Sequence, residues 1–133
     1  GPQQYTPNNK QKAIQWVSRL RAGGGTNPWG GLNQAMQSDK VSQITILSDG
    51  ITQSKGRCFH NGKYMNYSQC YAEYNAKRGQ TNVGDVAIDS VSLGFDFCSG
   101  NNTPYWLRYY QQFSKSWLGE LASKNGGSCK HIQ

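Results

Sequence analysis

The residues able to do chemistry fall into three groups. The first is a pair of loops. Asp49 closes the run Ile44-Thr45-Ile46-Leu47-Ser48-Asp49-Gly50, a short, β-favouring stretch that empties into a turn. A carboxylate at the C-terminal end of a buried strand is where an open α/β sheet places its ligand chemistry. Upstream lies Gly23-Gly24-Gly25-Thr26-Asn27, rich in small and hydroxyl-bearing residues. Both loops also have a purely structural reading. Thr26 or Asn27 would cap the next helix, and Asp49-Gly50 would form an Asx turn.

The second group is sulfur. Cys58, Cys70, Cys98 and Cys129 form an even set, which favours an oxidising, extracellular or cell-surface setting and allows three fully paired connectivities. Cys58 with Cys70 is the most natural bridge, and closing that loop corresponds to about 3 kcal/mol of chain-entropy stabilisation. The pairs Cys58-Phe59-His60 and Cys129-Lys130-His131 could instead offer zinc ligands, although neither has Cys-x-x-Cys spacing. Two glycosylation triplets, Asn66-Tyr67-Ser68 and Asn101-Asn102-Thr103, are compatible with an extracellular chain.

The third group is aromatic: 4 Trp and 8 Tyr, enough for a nucleic-acid or sugar platform. Trp16, Trp106 and Trp117 fall on predicted packing faces and are expected in the core. Trp29 follows Pro28 beside the Thr26 loop and is expected on an exposed rim. Tyr64, Tyr67, Tyr71 and Tyr74 crowd one irregular region, with Tyr64 and Tyr67 as partner-binding candidates.

Several classes are disfavoured. The formal charge of +7 comes from dispersed residues, which argues for general electrostatics over a nucleic-acid footprint. No segment approaches the length of a membrane span. No triad order falls at loop positions, and Asp49 has no second acid placed to share proton transfer, so an enzyme is not expected. Gly23-Gly24-Gly25-Thr26 follows a helix, whereas a phosphate cradle follows a strand and carries a lysine.

At 133 residues the chain makes one domain. Gly1-Pro2 has the form of a scar left by tag cleavage, so the chain is expected to be excised from a longer protein, and its lack of a signal peptide says nothing of the parent. Residues 1–9 are expected to be loose, and 10–133 to form the domain. Positions 10–21 carry Ala13, Ile14, Trp16, Val17 and Leu20 on one helical face. A second helix spans 29–37, a strand 41–47 and another strand 86–95. Residues 54–84 read as an insertion without regular period, with a short helix possible at 68–78. A long helix over 104–124 and a final strand at 129–132 complete an α/β order whose crossovers favour a parallel sheet.

Four blocks carry a family signature. They are Leu20 to Asn27 with the helix after it, Ile44 to Gly50, Val86 to Gly94, and Leu118-Gly119-Glu120-Leu121-Ala122-Ser123-Lys124-Asn125-Gly126-Gly127. In this order they resemble a von Willebrand factor A (integrin I-like) domain, specifically the C-terminal part of its Rossmann-like three-layer sandwich. The resemblance implies a protein-binding or adhesion module with a divalent cation, Mg²⁺ or Mn²⁺, at the carboxyl edge of the sheet. It carries over Thr26 as the loop threonine and Asp49 as the strand-end carboxylate. The family's Asp-x-Ser-x-Ser loop, with its first strands and helix, has no counterpart here. A hard cation wants about six oxygens, so the metal site is expected to be incomplete, weak or dependent on a missing segment. The strand 44–47, expected to be buried on both faces, is left as a bare sheet edge. That edge calls for a protein partner, either the missing N-terminal half or another copy. The alternative to an adhesion module is therefore a split-domain or structural subunit that assembles through the edge without metal.

Overall fold

The computed structural model describes residues 3–21, 28–51, 57–60, 62–81, 84–101 and 115–133, with 57–60 described for their backbone. The elements run α1 (Pro7–Arg19), α2 (Pro28–Met36), β1 (Gln43–Ser48), β2 (Arg57–His60), β3 (Lys63–Asn66), α3 (Tyr67–Gly79), β4 (Ala87–Leu93), α4 (Trp117–Lys124) and β5 (Cys129–Ile132). The chain is mixed α/β. Its main sheet is parallel, in the order β1-β4-β5, and β2 and β3 form a separate antiparallel hairpin.

Strand alternation gives this sheet two unlike faces. Ile44, Ile46 and Ser48 line up with Ile88, Ser90 and Ser92 in register, and this face meets the helices. Trp29, Leu32 and Met36 of α2, Tyr71 of α3, and Trp117, Leu118 and Leu121 of α4 form the core with Val86, Ile88 and Phe97. Two glycines permit close approaches of backbone to backbone. A Cβ on Gly119 would lie 2.0 Å from the Cys98 carbonyl oxygen, and one on Gly127 would lie 2.1 Å from that of Ile88.

Most polar groups inside this layer are matched rather than absent, as burial requires; among the described residues the Ser90 hydroxyl is an exception. Asn75 of α3 donates to the Val86 carbonyl (2.8 Å) and to Asn125 Oδ1 (2.8 Å), and accepts from the Val86 N–H (2.9 Å). Asn125 in turn donates to the Leu121 carbonyl. Arg78, 7% exposed, donates to the carbonyls of Met36, Ser38, Val41 and Gly84. One buried guanidinium thus fastens the α2–β1 connection and the entry to β4 to α3. Burial pushes the Tyr71 phenol up, with a smaller contribution from Tyr67; its hydroxyl donates to Asn33 Oδ1 (2.7 Å).

Five expectations need correction. Helix α1 begins at Pro7 rather than after residue 9, because Thr6 caps it through the Asn9 N–H (3.0 Å) and proline suits a first turn. It buries none of its residues, and Trp16, expected in the core, is 65% exposed. Periodicity decides which side of a helix is apolar, and only packing supplies a cover for it. Strand β1 is half-buried on alternate residues, not buried on both faces; Leu47 is 65% exposed. The insertion, expected to hold no regular element besides a possible helix at 68–78, contains a hairpin as well as that helix, Tyr67–Gly79. Finally, 104–124 is not one continuous helix. Residues 115–116 form a turn, and α4 starts at Trp117 with its first backbone bond from the Glu120 N–H to the Ser116 carbonyl (2.8 Å). The earlier part of that expectation, with Trp106, lies outside the described residues.

Candidate functional site

The C-terminal edge of the sheet holds two acidic turns. In the first, Asp49 Oδ1 accepts from the Ile51 N–H (3.0 Å), and Ser48 Oγ accepts from the Gly50 N–H (3.0 Å). Asp49 is exposed, whereas Gly50 beside it is buried. Gly50 has φ +76°, and a Cβ there would stand 1.9 Å from a ring carbon of Phe97. Its carbonyl accepts from the Trp117 indole (3.0 Å). Phe97 and Trp117 therefore clamp this turn from the core side, and only glycine satisfies both its backbone and its space.

The second turn follows β4. Asp96 Oδ1 accepts from the Cys98 N–H (2.9 Å) and the Ser99 N–H (3.0 Å), and Oδ2 accepts from the Ser99 hydroxyl. The Ser99 side chain, then its N–H, hold the Asp96 carboxyl below the usual range. Ser92 Oγ bridges the loop, donating to the Phe95 carbonyl (2.6 Å) and accepting from the Phe97 N–H (3.0 Å). A disulfide joins Cys98 to Cys129, and His131 Nε2 donates to the Gly94 carbonyl (2.5 Å). The loop that delivers Phe97 beneath Gly50 is thus tied to β5.

These geometries bear on the cation expected at Asp49. Thr26 lies outside the described residues. Asp49 spends one oxygen on its own Asx turn, and no group of three or more His, Cys, Asp or Glu gathers among the described residues. The Asx turn expected as the structural reading of Asp49-Gly50 is present. Cys129 is committed to a disulfide, which removes it as a zinc ligand. Cys70 is also disulfide-bonded, and the Cys58 side chain, its expected partner, lies outside the described residues.

The aromatic candidates separate. Trp29, expected on the rim, is 4% exposed and belongs to the core. Its ring stacks on Tyr67 with centroids 3.8 Å apart and meets Trp117 edge-on at 5.5 Å. Tyr67 is half-buried by that stack, while Tyr64 on β3 is 76% exposed. Of the three, Tyr64 is the most exposed.

The edge of β1 was expected to lie bare; the open face beside it was not, since the strand was expected to be buried on both faces. The Ala87 N–H donates to the Ser42 carbonyl (3.0 Å). In a parallel ladder this turns the N–H and C=O groups of the alternate residues 43, 45 and 47 away from β4. No described strand pairs with them, because β1 ends the sheet. On the face away from the helices, Leu47 stands opposite Val91 in register, and Leu93 stands opposite Ile132. Leu47, Leu93 and Ile132 are all exposed. The alternation of Thr45 between Ile44 and Ile46 was the available sign that one side of this strand lacks cover.

No known family model, curated protein or solved structure matches the chain.

Proposed function

We propose that this chain is a protein-binding module that takes up a polypeptide segment along the free edge of β1 and the open face beside it. The carrying observation is that edge groups at 43, 45 and 47, with which no described strand pairs, coincide with the exposed apolar residues Leu47, Leu93 and Ile132. An extended segment added at such an edge gains main-chain hydrogen bonds, and side chains facing the open sheet gain apolar contact. The resemblance to a von Willebrand factor A domain supports the same reading, because in that family a further strand lies beside the one that β1 resembles. The partner is then the N-terminal half of that domain or a second copy. The disulfides suit an extracellular or cell-surface setting, and no described helix is long and apolar enough to cross a membrane.

Light scattering over a concentration series, with mass analysis for a second polypeptide, tests this reading. We expect either self-association or a co-purifying chain. Thr45→Pro, which deletes an edge N–H while leaving the β1–β4 ladder its bonds, should abolish it. A monodisperse 14.8 kDa species with cooperative unfolding and no second polypeptide would refute the proposal.

A further inference from the structure

We infer that α1 is a membrane-surface anchor, lying flat on an anionic phospholipid bilayer with its apolar side in the headgroup boundary and its cations on lipid phosphates. The inference starts from charge. The first acidic residue of the chain is Asp39, whereas Lys10, Lys12, Arg19 and Arg21 fall within twelve residues. All four cations are exposed. The helix they decorate is sided. Ala13, Trp16, Val17 and Leu20 recur at i, i+3, i+4 and i+7, with Ile14 alongside, so they share one side. None of the residues of α1 is buried; Trp16 is 65% exposed and Val17 58%. Lys12 and Arg19, four residues before Trp16 and three after it, border this side, and Lys10 closes it at the N-terminal end. The rest of the circumference carries Asn8, Gln11, Gln15 and Ser18. The Thr6 cap and Pro7 set the helix start before any surface is met.

This is the arrangement of a helix that lies in a bilayer interface. Its apolar side chains enter the acyl boundary, its Trp sits at headgroup level, and long cationic stems reach back to phosphate. Its 13 residues make a rod about 20 Å long, too short to cross a bilayer and long enough to lie along one. Charge complementarity selects this occupant over others. A second copy would bring the same four cations against these, in a chain of net charge +7, and like charges repel. A nucleic acid or sulfated polysaccharide would engage the cations but leave Ile14, Val17 and Leu20 in water. An anionic bilayer takes up both at once. The surface shares no residue with the β1 edge.

The test is co-sedimentation of the full chain, disulfides intact, with phosphatidylcholine vesicles made with and without phosphatidylglycerol. Wild type should bind the mixed vesicles and not the pure phosphatidylcholine ones, and added salt should weaken binding. Trp16→Ala should lower the partition about tenfold or more, and Trp16→Phe should keep most of it. Lys12→Gln and Arg19→Gln should each cost about fivefold. Because α1 buries nothing in the fold, these variants should keep the urea midpoint of wild type, which separates lost binding from lost folding. Leu47→Ser, on the β1 surface, should bind vesicles as wild type does, so the anchor and the edge function fail separately. No binding to the mixed vesicles, equal binding to both kinds, or binding that Trp16→Ala leaves unchanged overturns the inference. So does capture by heparin without capture by vesicles, which would make the cations a polysaccharide site.

Discussion

The two faces of one three-stranded sheet differ more than their sequences do. On the covered face, Ile44, Ile46 and Ile88 meet three helices, the buried Ser90 and Ser92 lie among them, and glycines let backbone segments touch. On the open face, Leu47, Val91, Leu93 and Ile132 lie among Gln43, Thr45, Asp89 and Lys130, without a helix over them among the described residues. A short walk away in sequence, α1 carries an equally bare stripe of Ile14, Trp16, Val17 and Leu20. Apolar residues at the right period are therefore only half of a core. The other half is an element delivered to them, and burial without it yields no hydrophobic gain.

The strongest way to break this contrast is to cut one large side chain from each class. Phe97→Ala empties the space beneath Gly50 and should cost about 3–5 kcal/mol in urea unfolding. Trp16→Ala in the exposed stripe should stay within about 0.5 kcal/mol. A cost above about 1 kcal/mol for Trp16→Ala would mean that α1 packs in solution after all. Next in size is the disulfide that ties the Phe97 loop to β5. Replacing Cys98 and Cys129 together by serine should cost about 3–4 kcal/mol, from the loop it closes. An unchanged unfolding midpoint would show that core packing alone holds the loop.

A smaller effect sharpens the comparison on the open face. Leu47→Ser should leave the stability of the isolated chain within about 0.5 kcal/mol yet weaken any association measured by light scattering. A large loss of stability there would show the face to be covered. The smallest effect is electrostatic. Asp89, on the same face, accepts from the Ser128 N–H (2.8 Å) and the Gln43 amide (2.6 Å), and the Ser128 bond is the main cause of its lowered pKa. A lowered folded pKa stabilises above the unfolded value of about 3.9, and that contribution fades as the pH falls through the folded value. Asp89→Asn should therefore lower stability slightly at pH 7 and flatten the acid limb of the profile, the two proteins converging as the pH falls below the folded pKa of Asp89.

Parts of this molecule were legible before any coordinates. The parallel neighbours of β1 followed from crossover rules, and β5 was readable from its position after Asn125-Gly126-Gly127. The helix of the insertion was visible only faintly and its hairpin not at all, since a four-residue strand is too short to show a period. Arg78 gave no signal, because the carbonyls it binds come from segments distant in sequence. Trp29 misled, because its neighbours Pro28 and the glycine loop suggested a surface while its ring found Tyr67 and Trp117.

What this sequence determined by itself is local: which residues share a helical face, that Asp49-Gly50 can make an Asx turn, and which cysteines exist to be paired. Those follow from dihedral sterics and short-range hydrogen bonds. Tertiary structure alone decided which apolar faces are buried. Trp16 and Trp117 are the same residue type on helical faces of similar pattern, yet one is 65% exposed and the other 5%. The difference is the loop of Gly50 and Phe97 that arrives over Trp117 from other parts of the chain, since the energy of burial belongs to the pair of surfaces and not to either one.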